Sequence, residues 1–137
     1  MDTFVWPVRV YYEDTDSGGV VYYANYLRFM ERARSEWLRS LGVEQDQLIE
    51  QDGILFAVRH VEIDYLKPAR FNDLLEVASR VIEQGRASLS FEQIITRLEA
   101  GTKTELCRGK VKIVCLDAGA FRPHPLPEFL RMEISRV

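Results

Sequence analysis

Residues 27–42 read LRFMERARSEWLRSLG, and this stretch decides the fold class. The residues of one helical face recur three or four positions apart within it: Leu27, Met30, Arg34, Trp37, Leu38 and Leu41. Charged and polar residues fill the positions between them, and Gly42 follows directly as a C-terminal stop. This spacing predicts an amphipathic helix that packs one face against the rest of the protein.

Downstream of this helix the hydrophobic pattern changes to the alternation of β-strands. Apolar residues alternate over 54–58 in one phase and over 61–65 in the other, so the phase slips at Arg59 and His60. Such a slip is typical of a β-bulge within one long strand. Three further alternating runs predict a meander of antiparallel strands: 75–81, 87–95 and 107–115.

The remaining segments complete the predicted order of elements. A first strand is predicted over Val5–Tyr12, and a short second helix over Glu44–Gln51. The proline-rich residues 122–127 cannot continue a central strand, because proline lacks the backbone donor. One long helix and an antiparallel sheet that must hide one face predict an α+β fold, with the helix laid across the sheet.

The composition is that of a folded chain of one domain's length. Of the 137 residues, 47% are hydrophobic and 28% are charged, which excludes disorder and coiled-coil arrays. We therefore predict a single domain over residues 1–137. The formal net charge of -3 argues against a nucleic-acid partner. The N-terminus lacks a secretory signal and no apolar stretch approaches the roughly 18 residues of a membrane span, so we expect a cytoplasmic protein.

The loop before the long helix is polar and rich in glycine, with the sequence EDTDSGG at 13–19. One interpretation is that Asp14 and Asp16 only cap turns and the start of the helix. A calcium loop is a second interpretation, but Gly18 and Asn25 stand where that pattern needs a carboxylate and a bidentate glutamate.

A third interpretation is catalysis at the point where this loop joins the helix. Glycines let the backbone approach a ligand closely, and the free N–H groups at a helix N-terminus could polarise a carbonyl oxygen. A carboxylate opposite those donors could attack the carbonyl or activate water against it. Tyr22, Tyr23 and Tyr26 would surround such a site with amphipathic rings. Spacing alone leaves all three interpretations open.

A resemblance to a known family favours catalysis. The segment VRVYYEDTDSGGVVYYANY at 8–26, continued by ERARSEWLR at 31–39, closely resembles the Tol-Pal-associated acyl-CoA thioesterases of the 4-hydroxybenzoyl-CoA thioesterase branch of the hotdog superfamily. The similarity continues in DYLKPARF at 64–71 and covers nearly the whole chain. It implies a hotdog fold, in which an antiparallel sheet of about five strands wraps a long central helix. It also implies hydrolysis of an acyl-coenzyme A to the free acid and coenzyme A.

The resemblance also implies roles for particular residues. The second aspartate of the family's loop is the catalytic carboxylate and corresponds to Asp16, as nucleophile or general base. The backbone N–H that orients the thioester carbonyl corresponds to Tyr23, where members often carry histidine. Gly19, Val20 and Tyr26 are expected to contact the substrate. We expect no cofactor, and no metal either, since the isolated histidines have no ligand spacing.

Other candidate groups have alternative interpretations. Lys67 and Arg70 could bind the phosphates of coenzyme A, since arginine forks suit phosphate, or they could be a solvated strand end. Cys107 and Cys115, eight residues apart on one predicted strand, are predicted to be buried, reduced thiols. Neither cysteine lies near a histidine in the sequence, so a Cys–His nucleophile has no support. His60 is predicted to be a structural histidine rather than a ligand contact.

The expected partners follow from the open sheet. Long antiparallel strands invite pairing between sheet edges, which closed symmetric assembly resolves. Hotdog proteins commonly join two sheets into one with active sites at the interface, so the resemblance implies a homotetramer built as a dimer of dimers. The alternative to an enzyme is a non-catalytic hotdog module that binds acyl-CoA or acyl carrier protein.

Overall fold

The computed structural model describes residues 3–135. The strands are β1 (Phe4–Arg9), β2 (Ile54–Tyr65), β3 (Leu74–Gln84), β4 (Ser88–Glu99) and β5 (Thr102–Asp117). The helices are α1 (Asn25–Ser40), the short α2 (Gln45–Gln47) and α3 (Glu128–Ser135), with a 3₁₀ turn at Tyr12–Asp14 and a π-helical turn at Leu48–Asp52. Among the described residues, no helix is long and apolar enough to cross a membrane.

The five strands form one antiparallel sheet in the order β1-β3-β4-β5-β2. β3, β4 and β5 are neighbours in chain order, which confirms the predicted meander. The register of β2 against β5 shifts between Val58 and His60, which confirms the predicted bulge. β1 and β2 are the two edges of this sheet. The predicted α+β architecture is confirmed.

The long helix α1 buries the face that its period predicts. The buried side chains follow that face along the helix: Tyr26, Phe29, Met30, Ala33, Arg34, Trp37 and Leu38. The Trp37 ring meets Phe91 of β4 edge to face, with the ring centroids 5.2 Å apart. An aromatic pair in this geometry adds about 0.5–1.5 kcal/mol to the stabilisation from burial. The central helix is therefore fixed against the middle of the sheet.

Two positions at the ends of α1 test the prediction in detail. Leu27 is 38% exposed, so its placement on the buried face is wrong; Tyr26, one position earlier, fills that place. At the other end Gly42 adopts φ +85°, and its N–H donates to the carbonyl oxygen of Arg39 at 2.9 Å. This left-handed residue ends the helix, as predicted.

A buried polar network joins α1 to the sheet. Nη1 of Arg34 donates to Oε1 of Gln93 at 2.9 Å. Nε2 of Gln93 in turn donates to the carbonyl oxygen of Met30 at 3.0 Å and to Oγ of Ser79 at 2.9 Å. These bonds tie the helix to β3 and β4, and so fix its position along the sheet.

Two elements have boundaries that differ from the predicted ones. The first strand ends at Arg9 rather than Tyr12, because Tyr12–Asp14 forms a 3₁₀ turn. The helix predicted over Glu44–Gln51 is present as α2 and the π-helical turn that follows it to Asp52.

The C-terminal segment contains α3, a helix that the sequence analysis did not predict. Its Leu130 and Ile134 are fully buried in the core. An isolated bridge joins Pro123 to Leu116, and the chain then leaves the sheet, as expected of a proline-rich segment. Cys107 and Cys115 on β5 are buried and unpaired, as predicted.

Candidate active site

Asp14 anchors both ends of the loop between β1 and α1. Its Oδ2 accepts the N–H of Tyr11 at 2.8 Å. Its carbonyl oxygen accepts the N–H of Tyr22 at 3.0 Å and Nδ2 of Asn25 at 2.8 Å. The carboxylate of Asp14 is thus engaged in a turn, which is the role that the capping interpretation gives to it.

Asp16 lies in the outer part of the same loop, with its side chain exposed. Its Oδ1 accepts the N–H of Gly18 at 2.8 Å. Its backbone N–H donates to the carbonyl oxygen of Val20 at 2.9 Å, and its carbonyl oxygen accepts the N–H of Gly19 at 3.1 Å. Gly19 has φ +80°, which glycine adopts without steric cost. Within residues 3–135 no donor meets Oδ2 of Asp16, so a fixed carboxylate keeps one oxygen available.

The N-terminus of α1 meets the end of β2 next to this loop. The hydroxyl of Tyr65 donates to the carbonyl oxygen of Tyr23 at 3.1 Å. The Tyr23 ring contacts the rings of Tyr22 and Tyr65, with centroids 4.8 Å and 6.3 Å away. In the described part of the chain, no acceptor is found for the Tyr23 N–H. Tyr23 directly precedes Ala24, the N-cap residue of α1, so its unpaired N–H lies close to the positive end of the helix dipole.

The segment after β2 packs against the loop from the other side. Val20 forms an isolated antiparallel bridge with Arg70, and the N–H of Val21 donates to the carbonyl oxygen of Ala69 at 2.8 Å. The N–H of Ala69 donates to the hydroxyl oxygen of Tyr26 at 3.0 Å. Burial raises the pKa of Tyr26, which therefore stays protonated at neutral pH. Tyr26 lies beneath the loop and supports it.

The two predicted phosphate-binding cations lie on this same segment. Lys67 and Arg70 have exposed side chains, and neither forms an ion pair with a carboxylate in residues 3–135. The bridge to Val20 brings Arg70 next to the loop of Asp16. Lys67 lies three residues earlier, just after β2, and its N–H donates to the carbonyl oxygen of Leu106 at 3.1 Å.

The two thiols are not nucleophiles at this site, although Cys107 lies opposite Tyr65 in the register of β2 against β5. Burial raises the pKa of Cys107 to about 12 and that of Cys115 to about 11, so neither is a thiolate at neutral pH. His60 is exposed at the bulge of β2, where its Nε2 lies 3.0 Å from Oε1 of Glu62. Its partner is thus a surface carboxylate.

Tyr65 is a residue of the candidate site that was not predicted from the sequence. The alternation of β2 predicted it only as a strand residue, yet its hydroxyl reaches the helix N-terminus. The available signal was its place as the last residue of β2, since a tyrosine at the end of a strand combines an apolar ring with a polar tip.

The assembled groups are those of acyl transfer. The free oxygen of Asp16 can act on a carbonyl carbon or on water. The unpaired N–H of Tyr23 can bind the oxygen on which negative charge develops. Both groups are held by hydrogen bonds before any substrate binds, which reduces reorganisation during the reaction.

The comparison with known proteins identifies the family of this chain. A family model described as the Thioesterase-like superfamily matches residues 10–134. The chain belongs to this superfamily. It is 45% identical over 125 residues to the acyl-CoA thioesterase YbgC of Haemophilus influenzae, covering 91% of this chain and 89% of that protein. It is 41% identical over 133 residues to the acyl-CoA thioester hydrolase YbgC of Escherichia coli O6:H1, covering 97% and 96%.

A solved thioesterase structure has the same architecture. The 1,4-dihydroxy-2-naphthoyl-CoA thioesterase Slr0204 from Synechocystis superposes with a TM-score of 0.90 at 26% identity, covering 99% of this chain and 98% of that one. The predicted hotdog fold and the resemblance to hotdog acyl-CoA thioesterases are confirmed. The association with Tol-Pal proteins and the 4-hydroxybenzoyl-CoA thioesterase branch stay predictions.

Proposed function

We propose that this protein is an acyl-CoA thioesterase, which hydrolyses an acyl-coenzyme A to the free acid and coenzyme A, with Asp16 as the catalytic carboxylate. The relatives described above, at 45% and 41% identity, support the activity. One observation carries the assignment of Asp16. Its fixed, exposed carboxylate lies in the turn that leads to the unpaired Tyr23 N–H at the start of α1.

Two routes give these products. In the first, Oδ2 of Asp16 attacks the thioester carbon, the C–S bond breaks and coenzyme A leaves as the thiolate; water then hydrolyses the mixed anhydride and restores the carboxylate. In the second, Asp16 takes a proton from water while the water oxygen attacks the same carbon; the C–S bond breaks, coenzyme A leaves as the thiolate, and Asp16 releases the proton to it or to solvent. In both routes the Tyr23 N–H binds the developing oxyanion, and the dipole of α1 adds to this stabilisation.

The remaining site residues have roles in substrate binding. A Cβ at Gly19 would meet no atom within 4 Å, so the space beside it is open to a ligand, and Val20 borders that space. Tyr26 is buried and acts from below by holding the Ala69 backbone. Lys67 and Arg70 have exposed side chains that form no ion pair in residues 3–135, and they bind the phosphates of coenzyme A.

The proposed assembly is a homotetramer, formed as a dimer of dimers. β2 is an edge strand of 12 residues, with Val58, Val61 and Tyr65 exposed along it. A long exposed edge favours pairing with a second copy. Because Tyr65 also touches Tyr23, such pairing would bring the second copy to the candidate site. Sedimentation velocity tests this assembly, and a fully active monomer would contradict it.

The biological setting is also part of the proposal. Residues 1–137 form one domain that acts in the cytoplasm, where acyl-CoA is made and used. The resemblance of residues 8–26 supports membership of the Tol-Pal-associated branch. Acyl carrier protein is the alternative carrier of the acyl group. Turnover of the same acyl group on coenzyme A and on acyl carrier protein shows which of the two is the substrate.

Substitution of Asp16 tests the catalytic assignment. We expect Asp16→Asn and Asp16→Ala to lower kcat by about 100-fold or more, since both remove the reactive carboxylate. Thiol release is measured over short, long and aryl acyl-CoA substrates. Asp52→Asn is the matched control, since Asp52 is an exposed carboxylate in the turn before β2.

The outcomes separate the enzyme from the alternative function. Unchanged turnover in both Asp16 variants would remove Asp16 from the mechanism. A wild-type protein that binds acyl-CoA but hydrolyses none of these substrates would instead favour a non-catalytic binding module.

A further inference from the structure

An exposed aromatic pair borders the candidate site and takes no part in the proposed reaction. Tyr12, in the 3₁₀ turn, and Phe71, after β2, meet edge to face with ring centroids 5.8 Å apart. Their side chains are 79% and 54% exposed. Grouped apolar rings on a surface are typical of a binding site, whereas scattered ones are not.

The backbone beneath this aromatic pair is held in place. The N–H of Asn72 donates to the carbonyl oxygen of Val10, and the N–H of Val10 donates to that of Asp73, both at 2.9 Å. The carbonyl oxygen of Tyr12 accepts two hydrogen bonds from Thr15, one from its N–H at 3.1 Å and one from its Oγ1 hydroxyl at 2.7 Å. The aromatic pair is therefore preorganised, and a ligand that binds it orders little additional chain.

The aromatic pair is also close to the reacting carboxylate. Arg70, the neighbour of Phe71, is bridged to Val20, whose carbonyl oxygen accepts the N–H of Asp16. Since paired strands lie about 4.8 Å apart, the backbone of Arg70 lies within about 10 Å of the backbone of Asp16. The pantetheine arm and diphosphate of coenzyme A easily span that distance between its sulphur and its adenine.

The charges near the aromatic pair suit a phosphorylated ligand. The side chains of Lys67 and Arg70 are exposed there and form no ion pair in residues 3–135, while the Arg70 backbone N–H donates to Oδ2 of Asp73 at 2.8 Å. A groove of about 320 Å³ beside β1 also contains two arginines, Arg9 and Arg32, but two carboxylates line it as well. Those two carboxylates are Glu13 and Asp14, which follow Tyr12 in the same turn, so net charge does not separate the two surfaces. The aromatic pair does not line that groove, and it favours the side of the loop that carries Arg70.

We infer that Tyr12 and Phe71 bind the adenine ring of the coenzyme A portion of the substrate, next to phosphates held by Arg70. This inference rests on the proposed function, because it assigns the non-reacting end of the same substrate. An aromatic side chain stacks on the π-face of any base, and an arginine fork matches a phosphate. The ligand class is a phosphorylated adenine nucleotide.

The test uses two substrates with the same acyl group, one on coenzyme A and one on pantetheine, which lacks the nucleotide. In Tyr12→Ala and Phe71→Ala we expect KM for acyl-CoA to rise about tenfold, with kcat unchanged. KM for acyl-pantetheine should stay at its wild-type value. Phe121→Ala is the matched control, because Phe121 is also an exposed aromatic residue, at 65% exposure. It follows β5 near Ile54, the first residue of β2, and is therefore far from Tyr65 at the last residue of that strand.

Three results would overturn the inference: an equal rise in KM for both substrates, no rise for either, or a nucleotide-selective rise in Arg32→Ala alone. The last would assign the nucleotide to the groove beside β1. If the wild type hydrolyses neither substrate, the proposed function fails, and calorimetry with adenosine 3′,5′-diphosphate decides the inference by itself. We expect Tyr12→Ala to bind this nucleotide about tenfold more weakly than the wild type; equal affinity, or no binding by the wild type, would refute the assignment.

Discussion

Replacing Tyr65 with phenylalanine removes one hydroxyl group next to the candidate site and keeps the ring. The hydroxyl donates to the carbonyl oxygen of Tyr23 at 3.1 Å, while the ring contacts those of Tyr23 and Tyr26 at centroid distances of 6.3 Å and 5.5 Å. Burial raises the pKa of Tyr65, so the hydroxyl is a protonated donor at neutral pH. Tyr65→Phe therefore tests the hydrogen bond alone.

The expected effect of Tyr65→Phe is small on stability and larger on catalysis. A hydrogen bond contributes about 0.5–1.5 kcal/mol net, and Tyr65 is 47% exposed, so the free energy of unfolding should fall by about 0.5 kcal/mol. The bond also fixes the peptide group between Tyr23 and Ala24, because it binds the Tyr23 carbonyl oxygen. The backbone N–H of Tyr23 is the proposed oxyanion donor. Complete loss of such a donor lowers kcat by about 10²–10³-fold. A donor that is present but less well oriented should cost about tenfold in kcat, with little change in KM.

The assay is thiol release at saturating and limiting acyl-CoA, with urea denaturation of the same samples. Tyr22→Phe is the matched control, because the Tyr22 ring also contacts the Tyr23 ring, at a centroid distance of 4.8 Å, and this change likewise removes one hydroxyl group. Wild-type kcat in a stably folded Tyr65→Phe would refute the proposed link between this hydrogen bond and the oxyanion donor.

Three further experiments test the fold and the loop. Gln93→Leu leaves the buried guanidinium of Arg34 without its acceptor, so urea denaturation should show a loss of about 3 kcal/mol; a loss below about 1 kcal/mol would contradict this. Gly19→Ala and Gly101→Ala both place a Cβ at φ +80° and should each lose about 1–2 kcal/mol of stability, but only Gly19→Ala should lower kcat. The pKa of Cys107 rises on folding from 9.0 to about 12, so its contribution to stability is complete below pH 9 and is lost as pH rises towards 12. Cys107→Ala should flatten that decline in denaturation curves measured across this range, and an unchanged slope would contradict it.

The parts of the fold that the sequence predicted are those in which side chains repeat regularly. The face of α1 and the slipped phase of β2 follow from local spacing, since burial of one face imposes a period on the chain. The apolar residues Leu126, Leu130 and Ile134 recur at helical spacing around α3, so a signal for that helix was also present. The prolines at 123–127 obscured it.

The candidate site was predictable only in part, because its contacts are not periodic. Resemblance to a family identified the loop of Asp16, and the structure then places Arg70 and Tyr65 next to it. Both come from the segment around the end of β2, which meets the loop only in the folded sheet. No local pattern specifies that meeting, and the partners of Arg34 on β3 and β4 were hidden for the same reason.

The contacts that shape the loop have a consequence for the order of folding. The bond from Tyr65 to Tyr23 joins residues 42 positions apart, and that from Nη1 of Arg9 to the carbonyl oxygen of Asn72 joins residues 63 apart. Closing such long segments costs chain entropy, so these contacts form after the local hairpins and helix. On a ribosome, the segment that carries Asp16 emerges well before the residues that hold it. The ability to cleave a thioester should therefore appear late in folding, after β2 and the turn that follows it have docked.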